Sequence, residues 1–317
     1  MKRTQKISEA TSPRPGGGSD TTLFGSIEWL TVGLLVAVWI TILLGTWLIG
    51  RYEIWWALLL LAPVITLHSS LVHEAIHGHP TRHPGVNEFL LTVNPGVFFP
   101  YGSFRDSHRE HHLTEDLTDP HVDTESNLIS ADQWEALGPL GKWTRRINAT
   151  LLGRLIMGPT FTLIAFIKYE ARRLRADEST ARRDLLWHLL GCIVVFYWVV
   201  VVCGIPAWAY VILAAYPSAS LLALRTYAEH NPHSSPNRRT ATVESGRLMS
   251  LLYLNNNLHT LHHEQPHLPW YRLRALYFEN PDRYRSQQNF FSGYREIFRR
   301  FAFGAYSPVV HPMTVRD

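Results

Sequence analysis

The sequence predicts an all-α integral membrane protein, a four-span helix bundle made of two hairpins with a polar helical cap at one end. Three observations predict it. Apolar blocks of about 20 residues, long enough to cross a bilayer core, alternate with blocks dense in Arg, His and Asp. The average conceals this segregation, since 46% of the 317 residues are hydrophobic while mean hydropathy is only −0.06. The basic residues also gather on one side of the apolar blocks, as in membrane proteins oriented by positive charge.

Taken in order, residues 1–22 (with KRTQK and SPRPGGGSD) are polar, basic and rich in Pro, Gly and Ser, the composition of a disordered tail. The apolar block behind it is too long for a signal peptide and lacks a small-residue cleavage site. Trp29 to Gly50 is the first predicted span, Arg51 to Glu53 a tight turn, and Ile54 to Val72 the second span. Leu185 to Ile205 is the third, and Pro206 turns the chain into the fourth, from Ala207 to about Leu224. Residues 73–185 carry 13 Lys and Arg against one in the Arg51 turn and none in the turn from Gly204 to Ala207, which puts that side in the cytoplasm.

Two further segments are apolar without being predicted spans. Phe89–Phe104 is broken by Pro95, Gly96 and Pro100 and is re-entrant or interfacial. Leu151–Ile167 approaches spanning length, but Arg154 and Pro159 argue for a helix lying in the interface. With four crossings, residues after the second and fourth spans emerge on the same side. Cys192 and Cys203 are eleven positions apart on one predicted helix, about 16 Å along its axis and too far for a disulfide. A net charge of +4 and a pI near 9.1 suit anionic lipid headgroups better than nucleic acid, because the charges flank spans.

The histidines carry the chemistry. Eight of 17 fall in three clusters: His73 and His77; His108, His111 and His112; His259, His262 and His263. Residues three and four apart share a helix face, so each cluster aims two or three imidazoles at one point. Imidazole suits iron, zinc, copper and nickel. Eight converging ligands exceed the four of one closed site, which predicts two metals held at the end of the bundle. His73-Glu74-x-x-His77 also matches the zinc-protease pattern, but that reading leaves the other two clusters unused; Glu74 then serves as an outer partner of a ligating imidazole. His68, His83, His121, His188, His267 and His311 read as ordinary surface or core histidines. His79 is a secondary ligand candidate.

The order H-x-x-x-H, H-x-x-H-H and H-x-x-H-H with spans between resembles the membrane fatty acid desaturase and hydroxylase superfamily. NNNLHTLHHEQP followed by LPWY is similar to its bacterial members. The resemblance implies a non-haem di-iron centre, O2 as co-substrate, and oxidation of an unactivated C–H bond in a lipid, foremost fatty-acyl desaturation. It further implies a ninth ligand between the last span and the third cluster, where His230 stands and His233 is the substitute. An Asn near such a centre acts through water; Asn231 and Asn255 to Asn257 are placed for this. Glu74, Asn255 and Asn256 are thus the candidate catalytic residues. Carotenoid ketolases or hydroxylases and alkene-forming fatty acid decarboxylases share the boxes. The implied organisation is a basic tail (1–22), a desaturase-like membrane and cap domain (23–275) and a C-terminal cytoplasmic tail (276–317), in a bacterial inner membrane. No G-x-G-x-x-G for a flavin or nicotinamide is present. The electrons therefore come from a separate ferredoxin- or cytochrome-type donor, docking near Arg272, Arg274, Arg299 or Arg300. Phe98 to Tyr101 could line an acyl channel.

Overall fold

The computed structural model describes residues 27–312; the expected tail over residues 1–22 lies outside them. The apolar blocks form long helices: α1 (Trp29–Arg51), a 3-10 segment Trp55–Leu61 running into α2 (Ala62–Ile76), and then, after the cap segments α3 (Pro84–Leu91), α4 (Tyr101–Leu113), α5 (Ala131–Glu135) and α6 (Pro139–Asn148), α7 (Leu151–Arg175). Next come α8 (Ser179–Phe196) with a π-helical end Tyr197–Val202, α9 (Ala207–Tyr210), a π-helical stretch Val211–Ala215 and α10 (Tyr216–Tyr227). The remaining cap is α11 (Arg247–Leu252), α12 (His259–Glu264), α13 (Trp270–Glu279), α14 (Pro281–Arg285) and α15 (Tyr294–Phe301). It also contains a two-stranded parallel sheet, β1 (Thr242–Val243) on β2 (Phe290–Phe291), which the all-α expectation did not include.

Why the spans associate is visible in α1. Leu35, Val38, Ile42 and Ile49 recur at three-, four- and seven-residue spacing and are buried, while Val36, Ile40, Leu44 and Trp47 point outward. In water such an outer face would be an aggregation surface; in a bilayer it meets a solvent as apolar as itself. At the end away from the cap, α1 and α8 meet so closely that a Cβ on Gly50 would fall 1.9 Å from the carbonyl oxygen of Cys203. The indole N–H of Trp198 donates to Thr46 Oγ1 at 2.9 Å in the same region. Cys192 and Cys203 are free thiols.

The central element is α2, buried along most of its length. Its hydroxyls reach across: Thr66 donates to Ser218 O at 3.0 Å and Ser70 to Leu252 O at 2.9 Å, tying the span to α10 and to the cap. The broken Phe89–Phe104 segment folds as α3, an irregular link and the start of α4. Tyr210 OH donates to Pro95 O at 2.7 Å, which satisfies a carbonyl freed by the break.

Among the described residues five helices are long and apolar enough to cross a membrane by length and composition, and α7 is one of them. It continues eight residues past the predicted Ile167, to Arg175. Both of its ends are tied to polar segments. Near its start, Arg154 bonds Asn127 and Asn148 O, and Leu152 N donates to Ala302 O at 3.1 Å. Near its end, Arg173 bonds Ser103 Oγ and Asp106 Oδ2 on α4, each at 3.0 Å, and Asp184 on α8 at 3.2 Å.

Where α4 crosses α8, a Cβ on Gly102 would lie 2.3 Å from the Asp184 carboxylate. Gly102→Val is therefore expected to lift α4 off α8 at an overpacking cost of about 1–3 kcal/mol. Thermal unfolding in detergent should show a lower Tm than the parent; an unchanged Tm would mean that the contact does not constrain the fold.

Candidate metal centre

Each histidine cluster sits where a helix reaches the cap. His73 lies in the last turn of α2 and His77 directly follows it. His108, His111 and His112 occupy the end of α4. His230 follows α10 by three residues and is held extended by a bridge to Thr240. The short helix α12 carries His259, His262 and His263. These nine residues, drawn from chain segments up to 190 positions apart, meet in two groups. His73, His77, His108, His112 and His262 form one, and His111, His230, His259 and His263 the other; within each group the ligand atoms lie within 4.8 Å of one another.

The groups are in contact, since the rings of His112 and His263 stack at 4.3 Å. Asn256 bridges them, with Nδ2 3.4 Å from His73 Nε2 and Oδ1 3.0 Å from His259 Nδ1.

The inner nitrogens are too close for a bare cluster. In the first group, Nε2 atoms are 3.1 Å apart for His77 and His108, 3.1 Å for His108 and His112, and 3.3 Å for His112 and His262. In the second, His111 and His230 are 3.1 Å apart, His230 and His259 3.0 Å, and His259 and His263 3.1 Å. The outer nitrogens fix what those atoms can be. Nδ1 of His108 donates to Glu125 at 2.9 Å, that of His111 to Asp123 at 2.7 Å, and that of His230 to Arg239 O at 3.3 Å. With His259 bonded to Asn256 in the same way, each of these four rings turns its Nε2 inward, where the neutral form presents a lone pair. Lone pairs at this separation repel unless a cation lies between them. Imidazole nitrogens about 2.1 Å from one ion, at angles between octahedral and tetrahedral, are themselves roughly 3.0–3.4 Å apart. The donor set therefore fits two metal ions.

Burial favours the uncharged form of most of the rings. It pushes His112 down to about 2 and His230 down to about 3, with neighbouring imidazoles adding to the shift, and holds His259, His262 and His263 well below the ordinary value of 6.5. His111 moves the other way: burial would lower it, but Glu125 and Asp123 outweigh that and push it up to about 9. Asp123, buried beside His111, is held below the usual carboxylate range despite a burial penalty.

Three acids that the sequence reading did not single out thus surround the rings: Asp123, Glu125, and buried Glu229, which lies 2.8 Å from Arg225 Nε and 3.5 Å from His259 Nδ1. The acid-rich stretch after His112 (DLTDPHVDTE) was the available signal for the first two. The candidate residue Asn256 lies between the groups. Glu74 and Asn255 instead hold Trp270, whose N–H donates to Glu74 at 3.1 Å and whose carbonyl accepts from Asn255 Nδ2 at 2.8 Å.

The other histidines lie outside the two groups. His79 bonds Glu28 at 2.6 Å, His68 is buried against Trp39, and His233 accepts from Ser235 N at 2.9 Å. His83, His121 and His267 are exposed, His188 is half-buried beside Cys192, and His311 is buried against Thr118. Of the basic residues considered for docking, Arg274 turns inward to Ser250 and Arg300 pairs with Glu296, while Arg272 and Arg299 are exposed.

Long apolar helices that deliver nine convergent histidines to one polar end define a membrane metalloprotein with a two-metal centre. The sequence model of the fatty acid desaturase family matches residues 51–293, so the chain belongs to that family, one of membrane di-iron oxidoreductases. No match is found among curated proteins.

The pKa directions set the acid response of the metal-free chain. Rings held below 6.5 take up protons near 6.5 only when unfolded, so their contribution is present above that pH and is lost as pH falls toward 3. His111, and His79 outside the two groups, oppose this, the contribution of His111 being lost as pH rises through about 9. The lowered rings outnumber them, so the metal-free protein should melt at lower temperature at pH 5 than at pH 7.5. Equal melting temperatures would contradict the buried, neutral assignment.

Proposed function

We propose that this enzyme uses O2 to oxidise an unactivated C–H bond in a lipid, most directly in fatty-acyl desaturation. The observation that carries the proposal is the pair of histidine groups packed at the end of an apolar bundle. We assign His73, His77, His108, His112 and His262 to one iron and His111, His230, His259 and His263 to the other. Bound there, the two irons supply the O2 activation that such a bond requires.

The chain's own part is orientation and exclusion. Asp123, Glu125, Asn256 and the Arg239 carbonyl fix the rings' tautomers. Glu74 and Asn255 act as positioning residues, clamping the LPWY segment behind the third cluster through Trp270. With Glu74 accepting from that N–H, the zinc-protease reading, which needs the same carboxylate as a general base, is disfavoured. An apolar substrate enters laterally from the bilayer, and Phe98 and Phe99 are the proposed lining of its path. Electrons come from an external ferredoxin- or cytochrome-type donor on the polar face.

For topology we infer four crossings, with α7 lying along the membrane surface. In support, Arg154 and Arg173 near its opposite ends both bond segments next to the second histidine cluster, and a crossing helix would carry one of them to the far side. The excess of Lys and Arg on the histidine side supports a cytoplasmic location for it.

Metal analysis of the purified chain should give about two irons, and one zinc would favour a peptidase. His108→Ala and His262→Ala should each abolish turnover while the protein still inserts; full activity in either would refute the ligand assignment. Lipid and hydrocarbon profiles of an expressing host select the reaction. A new double bond is expected, and a ketone on a carotenoid ring or a terminal alkene would overturn desaturation.

A further inference from the structure

The family match ends at residue 293, yet the chain beyond it returns to the metal centre. Ile297 of α15 is fully buried in a cap core with Leu151, Tyr227, Val243, Tyr253 and Phe291. From Ala305 to His311 the backbone then runs as a strap over the side of the cap. Ala305 pairs with Thr150, and Tyr306 N donates to Tyr227 OH at 3.0 Å. Ser307 Oγ donates to Asn231 Oδ1 at 3.1 Å, next to His230. Val309 O accepts from Ile129 N at 3.1 Å and His311 N donates to Ile129 O at 2.9 Å, so the strap adds an edge to the loop that follows the second cluster.

From His311 a relay of contacts reaches a ligand. His311 Nε2 lies 3.2 Å from Thr118 Oγ1, Thr118 N donates to Asp123 Oδ2 at 2.7 Å, and Asp123 Oδ1 accepts from His111 Nδ1 at 2.7 Å. Thr118 is held at a φ of +77°, a conformation that costs a branched residue free energy and persists only where its surroundings enforce it. The strap's two polar ends therefore arrive beside His230 and behind His111. These two rings are neighbours in the four-histidine group, with Nε2 atoms 3.1 Å apart. Glu125, which serves the five-histidine group through His108, donates its N–H to Asp123 Oδ1 at 2.9 Å, but its neighbour Thr124 also ties that stretch to α4, with Oγ1 donating to Ser107 O at 2.7 Å, a hold the strap does not touch.

We propose that the C-terminal strap, residues 305–311, is a positioning element for the four-histidine metal group, setting the affinity of that metal ahead of its neighbour's. The proposal rests on the two-metal reading above. Loss of an outer partner of a metal-bound histidine costs about 10–100-fold in affinity, and the strap acts on two of the four ligands.

The test uses the full-length, iron-loaded protein in detergent, with a ferrous-iron chelator as the probe. In the double variant Ser307→Ala, His311→Phe, one of two irons should leave at least about tenfold faster than in the parent. The iron that remains should give the same spectrum as the one retained by His230→Ala. His311→Gln, which keeps a hydrogen-bonding group toward Thr118, should restore parental release. Circular dichroism and size exclusion report whether the double variant is folded. Should it not be, Ser307→Ala alone is read against the same two criteria. Parental release of both irons, or parallel loss of both from folded protein, would overturn the strap's role and leave the two-metal reading standing. A parent chain that holds no more than one metal would sink both.

Discussion

The rest of the structure depends on one crowded contact: imidazole nitrogens held about 3 Å from each other at the centre of each histidine group. Nothing in the histidines' own chemistry brings them together. Protonated they repel, and neutral rings with their N–H groups turned outward have no proton to share across the gap. The fold supplies the force. The ends of α2 and α10 and the whole of α4 and α12 are fixed by packing outside the cluster, and the outer nitrogens of His108, His111, His230 and His259 are tied to acceptors that orient their rings. The metal-free centre is thus a store of repulsion that two cations would convert into attraction, and metal binding and folding share one free energy.

Keeping the cluster at the end of a bundle solves a second problem. The substrate class is apolar and the ligand supports are polar, so the site has to border both media. Helix α2 joins them: its middle is buried among apolar side chains, its hydroxyls bond backbone carbonyls of α10 and the cap, and its last turn already carries His73 of the first histidine group. Arg173 does the corresponding work for α4. It reaches Asp106, Glu170, Glu178 and Asp184 and so fastens the second cluster to α7 and α8. A buried cation is costly unless fully paired, and with four carboxylates around it that condition is met. The close seat of Gly102 on Asp184 completes the joint.

Much of this was legible in the sequence because the signals are periodic or dense. Span lengths read directly from the apolar blocks, and the nine residues that meet in two groups are those whose spacing set them apart, with His230 supplied by the resemblance. What was not legible depends on contacts distant in sequence. Nothing local distinguishes Asp123 from Asp119, yet one is buried behind His111 and the other is not. The apolar segment Leu151–Ile167 is only part of a helix that runs to Arg175, because Arg173 in its last turn is neutralised by partners on other helices. The small sheet was invisible, since two-residue strands have no period. His311, read as an ordinary histidine, is buried beside a loop nearly 200 residues away, a placement that only the folded chain creates.

The ligand chemistry leaves a charge to be balanced. Soluble di-iron bundles ligate with carboxylates, which neutralise part of the metal charge directly; here all nine candidate donors are imidazoles, which carry no negative charge. The compensating negative charge has moved one layer out, to Asp123, Glu125 and Glu229, each within hydrogen-bond or ion-pair reach of a ligand ring. That layer is uneven. Asp123 is almost completely enclosed, whereas Glu125 keeps nearly a third of its side chain exposed. The four-histidine group also has Glu229 beside His259, although that acid is shared with Arg225. Electrostatic interactions strengthen where water is excluded, so the four-histidine group has the tighter hold on its counter-charge. The two histidine groups are consequently inequivalent in field as well as in ring number, and the inequality in field originates in a few acids contributed by loops rather than in the histidine pattern itself.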